Sequence, residues 1–223
     1  MHRAAQRLAD PPPPDYVSMM TSAILAIDTT GPRLALGLET SGRVHLFSED
    51  MATGQAERFF PALDALLKDA GIAYADLGRI AVTTGPGSFT GLRIGLSAAR
   101  GLGLSLGIPV LGIPTLLAIS LSGDGATSVK LDARREEAYF QRFSAPGIPV
   151  SEPALVPMVV ARERIAAGDM VLTTPFADLD LLLGFAAAAD PAEWPPHAAY
   201  IRDADAKPQE RFRVARVAPG TKP

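Results

Sequence analysis

The sequence predicts an α/β protein in which mixed sheets with flanking helices form two small lobes. Three observations predict it. Short apolar runs bounded by turn residues are interleaved with stretches of helical apolar spacing, in the order β-β-β-α-β-α-β over residues 24–113. Apolar residues make up 48% of the 223, enough for a sizeable core in one domain or in two lobes that share it. There is no cysteine, so disulfides, thiol nucleophiles and thiolate metal sites are excluded, and the fold must be held by packing and hydrogen bonds.

The elements follow in order. ILAID (24–28) is a short apolar run ending in an acid, and LALGLET (34–40) and RVHLFSE (43–49), joined by Ser41-Gly42, read as a tight hairpin. In residues 55–71, Phe59, Leu63, Leu66, Leu67 and Ala70 recur at helical spacing, with Gly71 as the stop. Pro61 then falls in or near the first turn, or kinks the helix. RIAVTTG (79–85) is a strand. GPGSFTG (85–91) opens a small-residue helix over about 89–106, and PVLGI (109–113) is the next strand. The second half reads as strands at 127–134, 136–143, 154–158 and 169–174, with helices at 162–168 and 178–189. The expected organisation is a disordered N-terminal tail (1–22) whose first 18 or 19 residues are dispensable, a first lobe (23–114), a smaller second lobe (115–202) and a flexible C-terminal tail (203–223). Pro11–Pro14 dominate the first tail, and the last 18 residues hold five basic residues against one acid.

Composition narrows the function. A net charge of -3 provides no broad basic field for gripping nucleic acid unaided. His2, His45 and His197 have no metal-ligand spacing, so no metal is expected. No apolar run reaches the ~18 residues of a membrane helix. Prolines stand where a signal peptide needs its apolar stretch, so a cytoplasmic chain without membrane contact is expected.

TTGPGSFTGLRIG (83–95) is the most specific segment. Gly85, Gly87 and Gly91 with Ser88 and Thr90 lie between a strand and a helix, where helix-start amides could cradle an anion and a hydroxyl could cap the helix. Three enzymatic patterns fail on spacing. Leu92 stands where a P-loop needs lysine, Pro86 where a serine elbow needs glycine, and Thr90 where a dinucleotide fingerprint needs its third glycine. Equally, the glycines could serve only close helix packing. Asp28-Thr29-Thr30 resembles the first phosphate loop of actin-like ATPases, or is a turn whose acid caps local amides. Asp132 and Arg134, with Glu137 and Tyr139 behind them, read as a turn with a surface ion pair.

Burial suggests a partner surface. From Phe89 to Leu106 the only charges are Arg93 and Arg100, so this helix needs cover on more than one side. Phe59, Phe60, Leu63 and Leu67 on one helix, and Gly91, Arg93, Gly95 and Arg100 on the other, are the expected interface.

With these segments in view, the chain resembles the TsaB (YeaZ) family over about 24–203. The resemblance rests on ILAIDTT (24–30), GPGSFTGLRIG (85–95), PVLGI with PTLLAIS (109–120), LDARREEAYF (131–140) and PHAAYIRD (196–203). It implies an actin-like ATPase fold, related to ribonuclease H, and a non-catalytic dimerisation subunit. Such a subunit acts with TsaD and TsaE to transfer a threonylcarbamoyl group to N6 of adenosine-37 in tRNAs reading ANN codons. It pairs with TsaD, or with itself when alone, reaches tRNA only through the complex, and is not a glycoprotease. It implies no cofactor on this chain alone, and leaves open ATP or ADP at the interface of the complex. TsaD-type relatives hold metal through paired histidines on the helix equivalent to 55–70, where this chain has Gln55-Ala56-Glu57-Arg58. The competing reading is a small actin-like ATPase or kinase, with Asp28 and the 85–91 loop at the phosphate site.

Overall fold

The computed structural model describes residues 22–201, so nearly all of the two expected tails lies outside the described residues. Ten strands form two five-stranded sheets. The first, ordered β3-β2-β1-β4-β5, contains β1 (Ala23–Asp28), β2 (Arg33–Thr40), β3 (Arg43–Asp50), β4 (Leu77–Thr83) and β5 (Val110–Ile113). β2 and β3 run antiparallel beside β1, while β4 and β5 are parallel to it. β1 is central and buried on both faces, which explains its unbroken apolar run. Ala23, Leu25 and Ile27 face one core; Ile24 and Ala26 face the other. Ser41 and Gly42 both take positive φ, as a two-residue hairpin turn requires.

Two helices cover one face. α1 (Gln55–Ala70) ends at Gly71 in the left-handed region, and α2 (Phe89–Leu106) ends likewise at Gly107. Pro61 stands inside α1, beyond its first turn. The second sheet is built from β6 (Thr127–Asp132), β7 (Glu137–Ala145), β8 (Ile148–Pro149), β9 (Ala154–Pro157) and β10 (Met170–Leu172). α3 (Thr115–Ser120) packs on β6 and β7, and α4 (Met158–Glu163) on β7 and β9. α5 (Leu179–Ala188) turns back past residue 114 and packs on β1, β2 and β4 of the first sheet. Asp178 caps its N-terminus by accepting from the Asp180 and Leu181 amides. Arg79 of β4 donates to the carbonyls of Ala186, Ala187 and Ala189 at its other end. Leu116, Leu117, Val129, Phe143, Leu182 and Leu183 share one core with the back of the first sheet.

Two expectations are corrected. The helix read at 162–168 lies at 158–163, because β9 ends at Pro157, which is also the N-cap residue of the helix. Residues 164–168 are turn. α3 was not expected as a helix, because all six of its residues are buried and leave no polar face to mark the period.

The edge of the second sheet carries one strong ion pair. Arg142 Nε lies 2.9 Å from Asp169 Oδ2, and Ser128 Oγ donates to the same oxygen at 2.6 Å. The hydrogen bond from Arg142, aided by Ser128, holds the Asp169 carboxyl down at about 2, against an ordinary 3.8. A carboxyl depressed by folding stabilises the fold above its unfolded value and loses that contribution as pH falls through the folded one. The stabilisation is therefore expected in full above about pH 4 and to fade toward pH 2. Asp169→Asn should cost on the order of 1 kcal/mol at pH 7, with solvent screening at the edge allowed for. Urea unfolding of both proteins at pH 7 and pH 3 checks this: the gap should narrow at the lower pH.

Candidate functional site

β1 delivers Asp28 to the end of the sheet, where the chain turns through Thr29 and Thr30. Asp28 is 3% exposed and its carboxyl is occupied. Oδ1 accepts from the Thr30 amide (3.0 Å), Thr30 Oγ1 (2.7 Å) and Thr83 Oγ1 (2.7 Å), and Oδ2 from the Ala177 amide (3.3 Å). One carboxyl thus ties the first turn to β4 and to the segment leading into α5. Phe176 and Pro175, from that segment, lie over Gly31. The Phe176 ring also carries the Arg33 guanidinium at 3.8 Å.

The glycine-rich loop closes on the same turn. Ser88 donates its amide to the Thr30 carbonyl at 2.7 Å, and its Oγ caps α2 by accepting from the Gly91 amide. Thr29 Oγ1 donates to the Gly91 carbonyl at 2.7 Å. A Cβ on Gly91 would lie 1.9 Å from the Thr29 carbonyl oxygen, so only glycine lets α2 reach the turn. Gly95 has the same relation to Thr29 Oγ1, at 2.4 Å. Gly85 donates its amide to Thr115 Oγ1, and Gly87 backs directly onto Thr30. Thr90 stands exposed at the start of α2.

A polar cleft of about 570 Å³ remains in front of this loop, lined by Thr30, Gly31, Gly87 and Ser88 on one side and Asp132, Arg134 and Tyr139 on the other. Arg134, Arg135 and Glu136 all take positive φ. The Asp132 carboxyl accepts from the Arg134 amide, so the acid shapes the turn. Glu137 opens β7, and its carbonyl accepts from the Ala133 amide. The expected phosphate-loop residues are therefore together, but their polar groups largely bind one another.

The second feature lies on the outer face of α1 and α2. A groove of about 830 Å³ runs between them, lined by Phe60, Phe89, Arg93, Ile94, Ser97 and Gly101 among others. Phe60 is 48% and Phe89 52% exposed. The Arg93 guanidinium stacks 3.9 Å from the Phe89 ring, which also meets Tyr200.

Burial corrects much of the expected interface. Phe59, Leu63 and Leu67 belong to the core beneath α1, and Gly91 and Gly95 face Thr29, not outward. Phe60 and Arg93 do face outward at the groove. Arg100 is exposed but donates to the Pro196 carbonyl of the closing segment. Sequence reading missed three supports. Gln55 is buried and donates to the Gly31 and Arg33 carbonyls, which holds the first turn. Thr83 and Thr115 bind Asp28 and the Gly85 amide. A hydroxyl residue at the end of each parallel strand, level with the acid, was the available signal. Among the described residues no three His, Asp or Glu side chains gather as metal ligands, and no helix is long and apolar enough to cross a membrane.

Residues 49–148 match the family model described as TsaD, tRNA N6-adenosine threonylcarbamoyltransferase. An uncharacterised protein of Mycobacterium tuberculosis is 41% identical over 137 residues, covering 60% of this chain and 64% of its own. The tRNA threonylcarbamoyladenosine biosynthesis protein TsaB of Escherichia coli is 34% identical over 54% of each chain. That of Bacillus subtilis is 38% identical over 52% of each. The match thus spans less than two thirds of the length of these curated relatives. In three dimensions, YeaZ from Pseudomonas aeruginosa superposes with a TM-score of 0.66 at 26% identity, over 80% of this chain and 99% of its own. The fold, mixed sheets with flanking helices, is the one that YeaZ has.

Asp28→Ala would strand four buried donors. It is expected to lower the unfolding free energy by about 3 kcal/mol or more. Denaturant titration measures this, and a loss under ~1 kcal/mol would mean the carboxyl is not the structural tie described.

Proposed function

We propose that the chain is a member of the TsaB/YeaZ family, to whose TsaB and YeaZ proteins it is similar, and that it is a non-catalytic scaffold and dimerisation subunit in tRNA threonylcarbamoyladenosine biosynthesis. It acts with TsaD and TsaE in the transfer of a threonylcarbamoyl group to N6 of adenosine-37 in tRNAs reading ANN codons. The observation that carries the non-catalytic reading is Asp28. In an actin-like ATPase an acid at this position serves a hydrated metal beside the phosphates. Here it accepts four protein donors, and Pro175 and Phe176 lie over the adjoining Gly31. Chemistry on bound nucleotide would require that network to open. On this reading ATP or ADP belongs to the catalytic partner or to the interface with it.

The scaffold role is supported by the α1–α2 groove. Its exposed phenylalanines sit on rigid helices, with an arginine at the rim, and aromatic and arginine anchors of this kind supply much of the binding energy of interfaces. The matching helices of TsaD occupy the groove, or those of a second copy when TsaD is absent, so heterodimer and homodimer compete for one surface.

Two measurements test this. Phe60→Glu should weaken association with TsaD, and self-association, at least tenfold (~1.4 kcal/mol), with little change in melting temperature because the ring is half exposed. Unchanged binding by a folded variant would displace the interface. Cells depleted of this chain should lose threonylcarbamoyladenosine from their tRNA, measured by nucleoside mass spectrometry. Undiminished modification would refute the role itself, as would ATP turnover by the purified chain that Asp28→Asn abolishes.

A further inference from the structure

The polar cleft carries two opposite charges that do not pair with each other. Asp132 and Arg134 are the only charged residues lining it, and both are exposed. Asp132 Oδ1 accepts from the Arg134 amide, yet neither side chain forms an ion pair with another described residue. Tyr139 joins them from β7. Its ring packs on the core that the two sheets share, and its hydroxyl has no hydrogen-bond partner among the described residues.

The backbone gives these side chains their significance. Residues 134–136 hold φ of 64°, 53° and 59°, a region that is strained for a residue with a Cβ and open to glycine. The turn alone would form more readily from glycine. Arginine at 134 therefore carries strain at a place where its guanidinium lines a cleft and meets no protein acid. Strain of this kind, held by surrounding hydrogen bonds, is a mark of binding sites.

Charge balance then selects the ligand. A phosphate brings more negative charge than one cation beside an acid can answer, and no second cation lines the cleft. A simple amine would leave Arg134 unanswered. A molecule with a carboxylate and an ammonium a few ångströms apart answers both charges. Its carboxylate can take two parallel bonds from the guanidinium. The remaining wall suits a modest side chain. Pro32, Ala52 and Phe89 are apolar, and Ser88 Oγ, which accepts from the Gly91 amide, keeps its hydrogen to donate. The volume of about 570 Å³ is of small-molecule size.

We propose that the cleft binds a free α-amino acid. Its carboxylate lies on the Arg134 guanidinium and the Tyr139 hydroxyl, its ammonium on the Asp132 carboxylate, and its side chain against the wall formed by Pro32 and Phe89. The site is independent of the α1–α2 groove and gives a small-molecule ligand to a chain whose proposed role is otherwise protein contact. Both charges are open to water, so the dissociation constant is modest, about 1 mM.

The test is amide NMR on the labelled full chain, titrated separately with each of the common amino acids, with propionate, with propylamine and with inorganic phosphate. At least one amino acid should move the Gly87, Ala133 and Arg134 amides at about 1 mM, and propionate and propylamine should bind at least tenfold more weakly. Arg134→Gln should weaken the amino acid at least tenfold. Asp132→Asn should do the same, and asparagine keeps an oxygen for the Arg134 amide, so shifts outside the cleft should stay in place. Tyr139→Phe should weaken binding severalfold. Phe60→Glu should leave it unchanged, so failure of the partner surface would not touch this result. Three outcomes overturn the proposal: no amino acid moves these amides at about 20 mM; phosphate or propionate binds as tightly as any amino acid, which makes the cleft a simple anion site; or binding survives Arg134→Gln, which puts the ligand elsewhere.

Discussion

The Asp28 carboxyl is the constraint on which the rest of the structure depends. It is buried at the end of the central strand, and burial of such a group is tolerable only where donors surround it. Those donors come from three places: the turn that follows β1, the end of β4, and the Ala177 amide just before α5. The third is the informative one. By binding a segment 149 residues away, the acid fixes where the second half of the chain returns to the first sheet. α5 can then lay Leu179 and Leu183 against Gly37, with its last carbonyls on Arg79.

The same turn sets the position of α2. Thr29 and Thr30 bind the backbone of residues 88–91 directly, and Gly91 removes the side chain that would hold the helix away. The glycine-rich loop is thus the contact surface between a helix start and a strand end. Its Ser88 amide is turned onto the Thr30 carbonyl and its Gly85 amide onto Thr115 Oγ1. The motif thus provides close packing, and the helix it positions presents Arg93, Ile94 and Ser97 to the outside.

Much of this was legible beforehand. The first sheet, the hairpin and the two long helices follow from period and punctuation, because each has one buried face or a clear stop such as Gly71. The legible part ended where period carries no directional information. Phe59, Leu63 and Leu67 form a correct helical stripe, but a stripe does not say whether sheet or partner covers it; here the sheet does. Phe60, one residue off the stripe, is the exposed ring. Gly91 and Gly95 were placed on a helix-facing surface because small residues allow any close approach, and the neighbour proved to be Thr29. The six-residue α3 had no polar face to reveal it. At the candidate site the acid and loop were visible, but their internal pairing depends on Thr83, Thr115 and Ala177, which are distant in sequence and chemically ordinary.

The two surfaces left open by the fold differ in what they can recognise. The cleft near Arg134 is polar and bordered by a turn in which three consecutive non-glycine residues hold positive φ, an arrangement that persists only where hydrogen bonds over-determine it. Several do: Asp132 to the Arg134 amide, Ala133 and Glu137 across the turn, and the Met158 amide to Glu136. The groove is apolar and built on helices that the core holds rigidly, so it loses little freedom when covered. An apolar surface set on an immobile base suits protein contact, whereas a cleft lined by Asp132, Arg134 and Tyr139 suits a polar one. The division follows from one turn. Asp28 fixes Thr30, the bonds of Thr29 and Thr30 to residues 88–91 seat α2, and seating α2 is what turns its outer side chains into one wall of the groove.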